Sequence, residues 1–205
     1  MLKVIQDHLQ SIYRIQAPDV RPFLVDAAAV TNLLGPDARG ADEWVLLRQD
    51  GEDVDLAVYI AEEHLQRLAQ AQTPGQAVQQ CFSSFCAATE GVSHFLMLIE
   101  RARREEPIRM LELELQAEID KFVSAWLHHP RRHRQLLRQL FHDAALRPDL
   151  SVVERDRYRE AGRLAAAYCA CLEALPHPAA VLAAVRQFWR WSGAQRLERV
   201  RRLAA

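Results

Sequence analysis

Glu90, His94 and Asp120 are the side chains best suited, by type and spacing, to do chemistry inside a bundle of helices. Glu90 and His94 are the only charged or imidazole side chains between Cys81 and Ile99, in a segment that is otherwise apolar or small. A helix that is apolar all round is enclosed by other helices. We therefore expect Glu90 and His94 to be at least partly buried.

Asp120 reaches the same level if the chain reverses at Pro107 into an antiparallel pair of helices, which places it opposite His94. Two carboxylates and an imidazole on facing helices can ligate a divalent metal ion. The same groups can transfer protons when burial shifts their pKa values. The four-residue spacing of Glu90 and His94 differs from the Glu-x-x-His spacing of di-iron bundles. We therefore favour a third interpretation, a buried ion pair of His94 and Asp120 that fixes the register of the helices.

Three further charged residues lie on the same predicted helix as Asp120. Glu114, Glu118 and Lys121 are spaced three and four residues apart, so they share one helix face. Pairs of opposite charge at these spacings stabilise exposed helix surfaces. The sequence predicts a solvated face here rather than a set of metal ligands.

Charge is divided unevenly along the chain. Up to Trp126 there are 11 basic and 20 acidic residues, whereas beyond it there are 15 basic and 7 acidic residues. Such asymmetry indicates contact with nucleic acid or with an acidic partner. The candidate contact residues are six arginines, Arg131, Arg132, Arg134, Arg186, Arg190 and Arg199. The alternative is that they cap helix ends and pair with acidic surfaces of the same chain, because no helix-turn-helix, zinc-finger or RNA-binding signature accompanies them.

The elements that must position these residues follow from apolar periodicity and from proline and glycine breakers. A long helix over 76–106 and a second from Ile108 to His128 flank Pro107. Alternating apolar residues around Asp50-Gly51 predict a β-hairpin with strands 43–49 and 54–60, and 23–25 is predicted as a short strand. The other predicted helices cover 2–15, 61–71, 131–146, 151–175, 179–192 and the residues from 194 onward.

The fold class is therefore mainly α, a bundle of six or seven helices with a small β-hairpin near its start. We expect one domain over 1–205, in which 1–60 carry the first helix and the hairpin and 61–205 form the bundle. With 205 residues, half of them hydrophobic, the chain can bury a core without disulfides. The amino terminus lacks the features of a secretory signal, and we expect no transmembrane segment.

Several function classes lack their motifs. The sequence has no phosphate-binding loop, dinucleotide-binding glycine pattern, nucleophile elbow or metalloprotease motif, so enzymatic activity is disfavoured and no cofactor is expected. We expect a cytoplasmic bacterial protein that acts by binding a protein partner, in an interaction or regulatory role. The alternatives are a nucleic-acid-binding module that uses the basic carboxyl-terminal half, and a metal-binding helical-bundle enzyme that uses Glu90, His94 and Asp120.

Overall fold

The computed structural model describes residues 1–35, 40–51, 53–143, 147 and 150–204. Helices dominate this part of the chain, with one two-stranded antiparallel sheet, so the predicted mainly α fold with a minor β element is confirmed. The helices are α1 (Leu2–Tyr13), α2 (Ala27–Leu34), α3 (Glu62–Ala69), α4 (Pro74–Gln80), α5 (Phe82–Arg103), α6 (Met110–His128), α7 (His133–Leu137), α8 (Val152–Glu173), α9 (Pro178–Arg190) and α10 (Gly193–Leu203). The strands are β1 (Glu43–Asp50) and β2 (Asp53–Ile60).

Three local predictions differ from the structure. The helix predicted over 76–106 is divided at Cys81, whose φ of −144° and ψ of 57° lie outside the helical region. The described part of the helix predicted over 131–146 forms a 3-10 turn at Pro130–Arg132, the short α7 and a π-helical turn at Arg138–His142, and 144–146 lie outside the described residues. The sequence analysis missed α2, which begins where the Asp26 side chain accepts a hydrogen bond from the Ala29 amide at 2.8 Å.

The β-hairpin lies on α5, and a glycine makes that approach possible. A side chain added at Gly91 would place its Cβ 3.4 Å from side-chain atoms of both Val58 and Ile60, and 3.6 Å from Oε2 of Glu43. Because Glu43 pairs with Ile60 in the sheet, the first residue of β1 is brought over the same turn of α5. The segment predicted as a strand at 23–25 contributes a single bridge, in which the Val25 amide donates to the Val58 carbonyl at 2.9 Å.

Helices α5 and α6 form the antiparallel pair that the sequence predicted, and they lie at the centre of the fold. Ser93 Oγ on α5 donates to Asp120 Oδ2 on α6 at 2.6 Å, which ties the middle of one helix to the middle of the other. Helix α6 packs against α8 on a second side. The core around this pair includes the fully buried Phe85, Phe95 and Phe122. Both central helices are therefore enclosed by other elements.

Burial also bears on membrane association. Helix α5 is long and apolar enough, by length and composition, to cross a membrane, and it is the one described helix that meets both conditions. Of its most apolar window, 67% is buried against the rest of the fold. Core helices of soluble proteins meet the same conditions, so this is weak evidence for a membrane span. The expectation of no transmembrane segment stays a prediction.

Candidate metal centre

Three separate elements bring four ionisable side chains together beside α5. Glu90 and His94 lie one turn apart on α5, so their side chains leave the helix in directions about 40° apart. Helix α6 contributes Glu114, and the start of β1 contributes Glu43. One ligand atom each of Glu90, His94 and Glu114 lies within 4.8 Å of the other two. Two carboxylates and an imidazole therefore lie close together, and this is a ligand set that first-row divalent metal ions accept.

The imidazole of His94 lies between two glutamates. Its Nε2 is 3.6 Å from Oε2 of Glu114, and its Nδ1 is 3.6 Å from Oε2 of Glu43. Both distances are too long for hydrogen bonds. His94 Nε2, Glu114 Oε2 and Glu43 Oε2 are buried and have no hydrogen-bond partner among the described residues. Buried polar atoms are nearly always satisfied, so these three need an explanation.

The separation of His94 and Glu114 fits two ligands of one metal ion, as it also fits an ion pair of a protonated His94. Zinc–nitrogen and zinc–carboxylate distances of about 2.0–2.2 Å, at a tetrahedral angle, put the two ligand atoms about 3.4 Å apart. The observed separation of 3.6 Å between Nε2 and Glu114 Oε2 is close to that value. Glu43 then faces the other ring nitrogen, as the outer carboxylate does in carboxylate–histidine–metal arrangements.

The electrostatics of the cluster follow from burial and from opposed charges. Burial alone would lower the pKa of His94, but Glu43, Glu114 and Glu90 raise it to about 9. Burial raises the pKa of Glu114 to about 7, although the positive charge of His94 opposes the rise. Burial likewise raises the pKa of Glu43, and the positive charge of His94 opposes this rise too. In the absence of a metal ion, His94 therefore carries a proton at pH 7.

Lys121 forms ion pairs with both Glu90 and Glu118. Its Nζ lies 3.1 Å from Glu90 Oε2 and 2.6 Å from Glu118 Oε1. Burial opposes the charge of Lys121, yet Glu118 and Glu90 raise its pKa well above the usual range. Burial would raise the pKa of Glu90, but Lys121 and His94 hold it below its usual range. Glu90 therefore remains ionised between two cations.

The prediction of a solvated face for Glu114, Glu118 and Lys121 is wrong. The side chain of Glu114 is 2% exposed, and that of Lys121 is 9% exposed. The reason is that α8 packs on α6 and places Arg157 Nε 3.4 Å from Glu114 Oε1. This face therefore lies inside the fold and supplies a candidate ligand that the sequence analysis assigned to solvent.

Asp120 is buried but lies in a different hydrogen-bond network. It accepts hydrogen bonds from Ser93, from the Tyr13 hydroxyl and from Gln116 Nε2, the last at 2.9 Å. Burial raises the pKa of Asp120 to about 6, although the hydrogen bonds to its carboxylate lower it. The structure therefore brings Glu90 and His94 together as predicted and puts Glu114, not Asp120, beside them. The favoured His94–Asp120 ion pair is replaced by contacts of His94 with Glu43 and Glu114.

A second cluster contains a serine, a histidine and acidic residues. His64 Nδ1 lies 3.0 Å from Ser84 Oγ, and His64 Nε2 lies 3.1 Å from Asp42 Oδ1. These contacts resemble a nucleophile, a base and an orienting acid, but Ser84 is fully buried and a substrate cannot reach it. Asp42, Glu63 and His64 could also surround a metal ion, but both carboxylates are exposed and both imidazole nitrogens already have partners. The cluster on α5 is the stronger candidate.

The six candidate arginines are distributed over several contacts. Arg186 Nε donates to the Ile12 carbonyl at 2.6 Å, so it caps the end of α1. Arg134 pairs with Glu173 at 3.3 Å, and Arg132 Nε donates to Gln135 at 2.9 Å. The remaining three, Arg131, Arg190 and Arg199, are exposed. Capping and pairing with an acidic residue thus account for two of the six, Arg186 and Arg134, and binding of nucleic acid or of an acidic partner stays a prediction.

Comparison with protein-family models, with curated proteins and with solved structures finds no match to this chain. The site must therefore be interpreted from its own geometry. Sequence reasoning missed Glu43 and Glu114. A signal for Glu114 was present, because α6 already carries two apolar stripes, around Leu115 and Leu113, and a helix buried on two sides has little surface left for solvent. The sequence alone gives no comparable signal for Glu43.

Proposed function

We propose that this protein binds one divalent first-row transition metal ion through Glu90, His94 and Glu114. The observation that carries the proposal is the pair of buried, unpartnered atoms His94 Nε2 and Glu114 Oε2, which face each other at 3.6 Å. Glu43 lies on the Nδ1 side of the His94 ring and would orient the ring, as a carboxylate outside the ligand set does in other metal sites. Three protein ligands leave coordination positions open, as catalytic metal sites do.

The donor set narrows the choice of metal. Carboxylate oxygens suit Mn²⁺ and Mg²⁺, whereas imidazole suits Zn²⁺, Fe²⁺ and Cu²⁺. A site with two carboxylates and one imidazole therefore favours Mn²⁺, Fe²⁺ or Zn²⁺. Binding requires His94 to release the proton that it carries in the metal-free protein, so the ion competes with a proton for this ligand.

Metal analysis and titration test the proposal directly. Protein purified without a histidine tag is analysed for bound metal, stripped with a chelator and titrated calorimetrically with Mn²⁺ and with Zn²⁺. We expect one equivalent to bind at saturation, and we expect the chelator to lower the melting temperature of the loaded protein. Glu114→Gln and His94→Gln should each weaken binding at least tenfold.

Asp120→Asn provides the matched control, because it removes a buried carboxylate from the same helix without touching the ligand set. It should leave the metal stoichiometry at one. Absence of binding by the wild-type protein would overturn the proposal and leave the cluster as an internal ion-pair network. Equal loss of binding in Asp120→Asn and Glu114→Gln, with circular dichroism showing both variants folded, would overturn the ligand assignment.

A further inference from the structure

A cleft of about 920 Å³ opens onto one side of the candidate metal centre. Glu43 and Glu90 form part of its wall, whereas His94 and Glu114 are not part of that wall. The cleft therefore reaches the cluster at Glu90, the one proposed metal ligand in its wall. Ligand-binding pockets in proteins have volumes of about 300–1,000 Å³, so the cleft is large enough for a small organic molecule.

Two hydrogen-bond donors stand in the cleft wall beside the cluster. Lys121 lines the cleft, and its ammonium contacts Glu90 at 3.1 Å. Tyr158 also lines the cleft. Burial raises the pKa of the Tyr158 hydroxyl, and the charges of Glu114, Glu90 and Glu43 raise it further, so the phenol keeps its proton. A ligand group next to the metal ion would therefore meet an ammonium and a phenol, both of which donate to oxygen.

Charge in the cleft favours an anion once a metal ion is bound. Among the described residues of its wall, four carboxylates stand against three cationic side chains. With a divalent ion bound and His94 neutral as a ligand, the wall and the ion together carry an excess of one positive charge. Glu114 and Arg157, which lie behind the wall, cancel each other at a distance of 3.4 Å. A ligand with a single negative charge restores neutrality.

The remainder of the wall includes apolar groups. Phe82 and Ala87 on α5 and Leu140 in the π-helical turn line the cleft. Burial of apolar surface against such side chains favours a ligand with a hydrocarbon body. The volume exceeds what a two-carbon acid fills, and a longer chain can extend along the cleft away from the metal ion.

We propose that the cleft binds an aliphatic monocarboxylic acid, whose carboxylate completes the coordination of the metal ion and accepts hydrogen bonds from Lys121 and Tyr158. This proposal rests on the proposed metal-binding function. It adds the chemical class of the bound ligand, and it requires a coordination position of the metal ion that a molecule in the cleft can occupy. The hydrocarbon part of the acid lies against Phe82, Ala87 and Leu140.

The experiment uses the full chain loaded with Co²⁺, whose visible absorption reports changes in coordination. Octanoate is titrated into Co²⁺-loaded and metal-free protein at pH 7.5, with acetate as the short-chain comparison. We expect octanoate to bind the loaded protein, to change the Co²⁺ absorption, and to bind at least tenfold more tightly than acetate. The metal-free protein should bind octanoate at least tenfold more weakly.

Two variants locate the ligand. Ser83 is exposed and lines the cleft, so Ser83→Trp should fill it and weaken octanoate binding at least tenfold. Ser11→Trp, at an exposed position on α1, is the matched control and should bind octanoate as the wild type does. If Ser83→Trp fails to fold, Tyr158→Phe removes one donor with little change of shape and should weaken octanoate binding about fivefold.

Each outcome decides between the two proposals. If Co²⁺ binds but octanoate neither binds nor changes the absorption, the inference about the acid is overturned and the metal-binding function stands. Octanoate binding that is equal with and without Co²⁺, at constant absorption, overturns coordination of the carboxylate by the metal. If Co²⁺ does not bind at all, the metal-binding function fails and the inference fails with it.

Discussion

The ammonium of Lys121 lies 3.1 Å from the carboxylate of Glu90, the residue that also faces His94 and Glu114. A carboxylate has two oxygens and can bridge two cations. Glu90 is therefore placed to hold the fixed positive charge of Lys121 on one side and, under the proposed function, a metal ion on the other. The fixed charge keeps Glu90 ionised before the metal ion arrives.

Removing the fixed charge should destabilise the metal-free protein. Lys121→Met leaves Glu90 and Glu118 without their shared cation, and breaking a buried ion pair lowers the free energy of unfolding by about 3–5 kcal/mol. Urea unfolding of the metal-free variant measures this loss. Addition of Mn²⁺ should recover about 2.7 kcal/mol at a hundredfold excess over its dissociation constant. Lys121→Arg keeps the charge and should lose much less; equal stability of Lys121→Met and the wild type would contradict the buried pairing.

Metal affinity should increase with pH. The pKa of His94 is raised to about 9, so the metal-free protein carries a proton on the ring at pH 7 and must release it when the ion binds. Affinity should therefore rise about tenfold per pH unit between pH 7 and 8.5 and level off above about 9. Below pH 7, protonation of Glu114, whose pKa is about 7, should steepen the dependence. Zn²⁺ competition titrations across this range measure the slope, and a flat profile would exclude His94 as a ligand.

Acid should destabilise the protein through a stacked histidine pair. The rings of His8 and His128 lie 4.5 Å apart, and burial together with the charge of His128 lowers the pKa of His8 to about 4. Between pH 6.5 and 4 the unfolded chain therefore binds a proton that the folded protein does not, so the free energy of unfolding falls as the pH falls through this window. His8→Phe removes the titration and should flatten the decline. Urea unfolding at pH 7 and at pH 4.5 compares the two proteins, and identical declines would refute this assignment.

A close contact at the start of α10 should make Gly193 sensitive to substitution. A Cβ at this position would overlap the carboxylate of Glu112, which is 4% exposed. Gly193→Ala should therefore displace a buried carboxylate from the amino-terminal end of the helix and lower the free energy of unfolding by about 1–3 kcal/mol.

Gly162 provides the control for that substitution. It lies inside α8, and a Cβ there would have no other atom within 4 Å. Gly162→Ala should stabilise the protein by about 1 kcal/mol, because alanine has the higher helix propensity. Thermal unfolding of both variants shows whether the two changes have opposite signs. Stabilisation by Gly193→Ala would show that Glu112 can move at no cost.

The local pattern of the sequence was sufficient to predict the central helix pair and the burial of Glu90 and His94. It failed for Asp120 because residues at the same level of an antiparallel helix pair need not face each other. Asp120 and Glu114 are six residues apart, so their side chains leave α6 in directions about 120° apart. Asp120 therefore points to Tyr13 and Ser93, while Glu114 points to His94. Which direction faces which neighbour depends on where α8 packs, and no local pattern encodes that.

The β-hairpin illustrates a different limit of sequence reasoning. Its two strands and its turn at Gly51 follow from alternation and turn residues. Its docking on α5 does not, because the contact at Gly91 joins segments that are distant in the chain. Gly91 lies in the segment that the sequence shows to be apolar or small, but only the fold shows that the β-hairpin occupies the space beside it. Glu43 was missed for this reason.

The packing of the β-hairpin against Gly91 also determines the order in which Glu43 and the three proposed metal ligands come together during folding. Glu43, Glu90 and Glu114 span a long stretch of chain, and contacts of high sequence separation form late because loop closure opposes them. A nascent α5–α6 hairpin could present Glu90, His94 and Glu114 before β1 docks, but the imidazole would then lack its orienting carboxylate. Capture of the ion should accordingly be a late kinetic event, slower in refolding than the gain of helical structure.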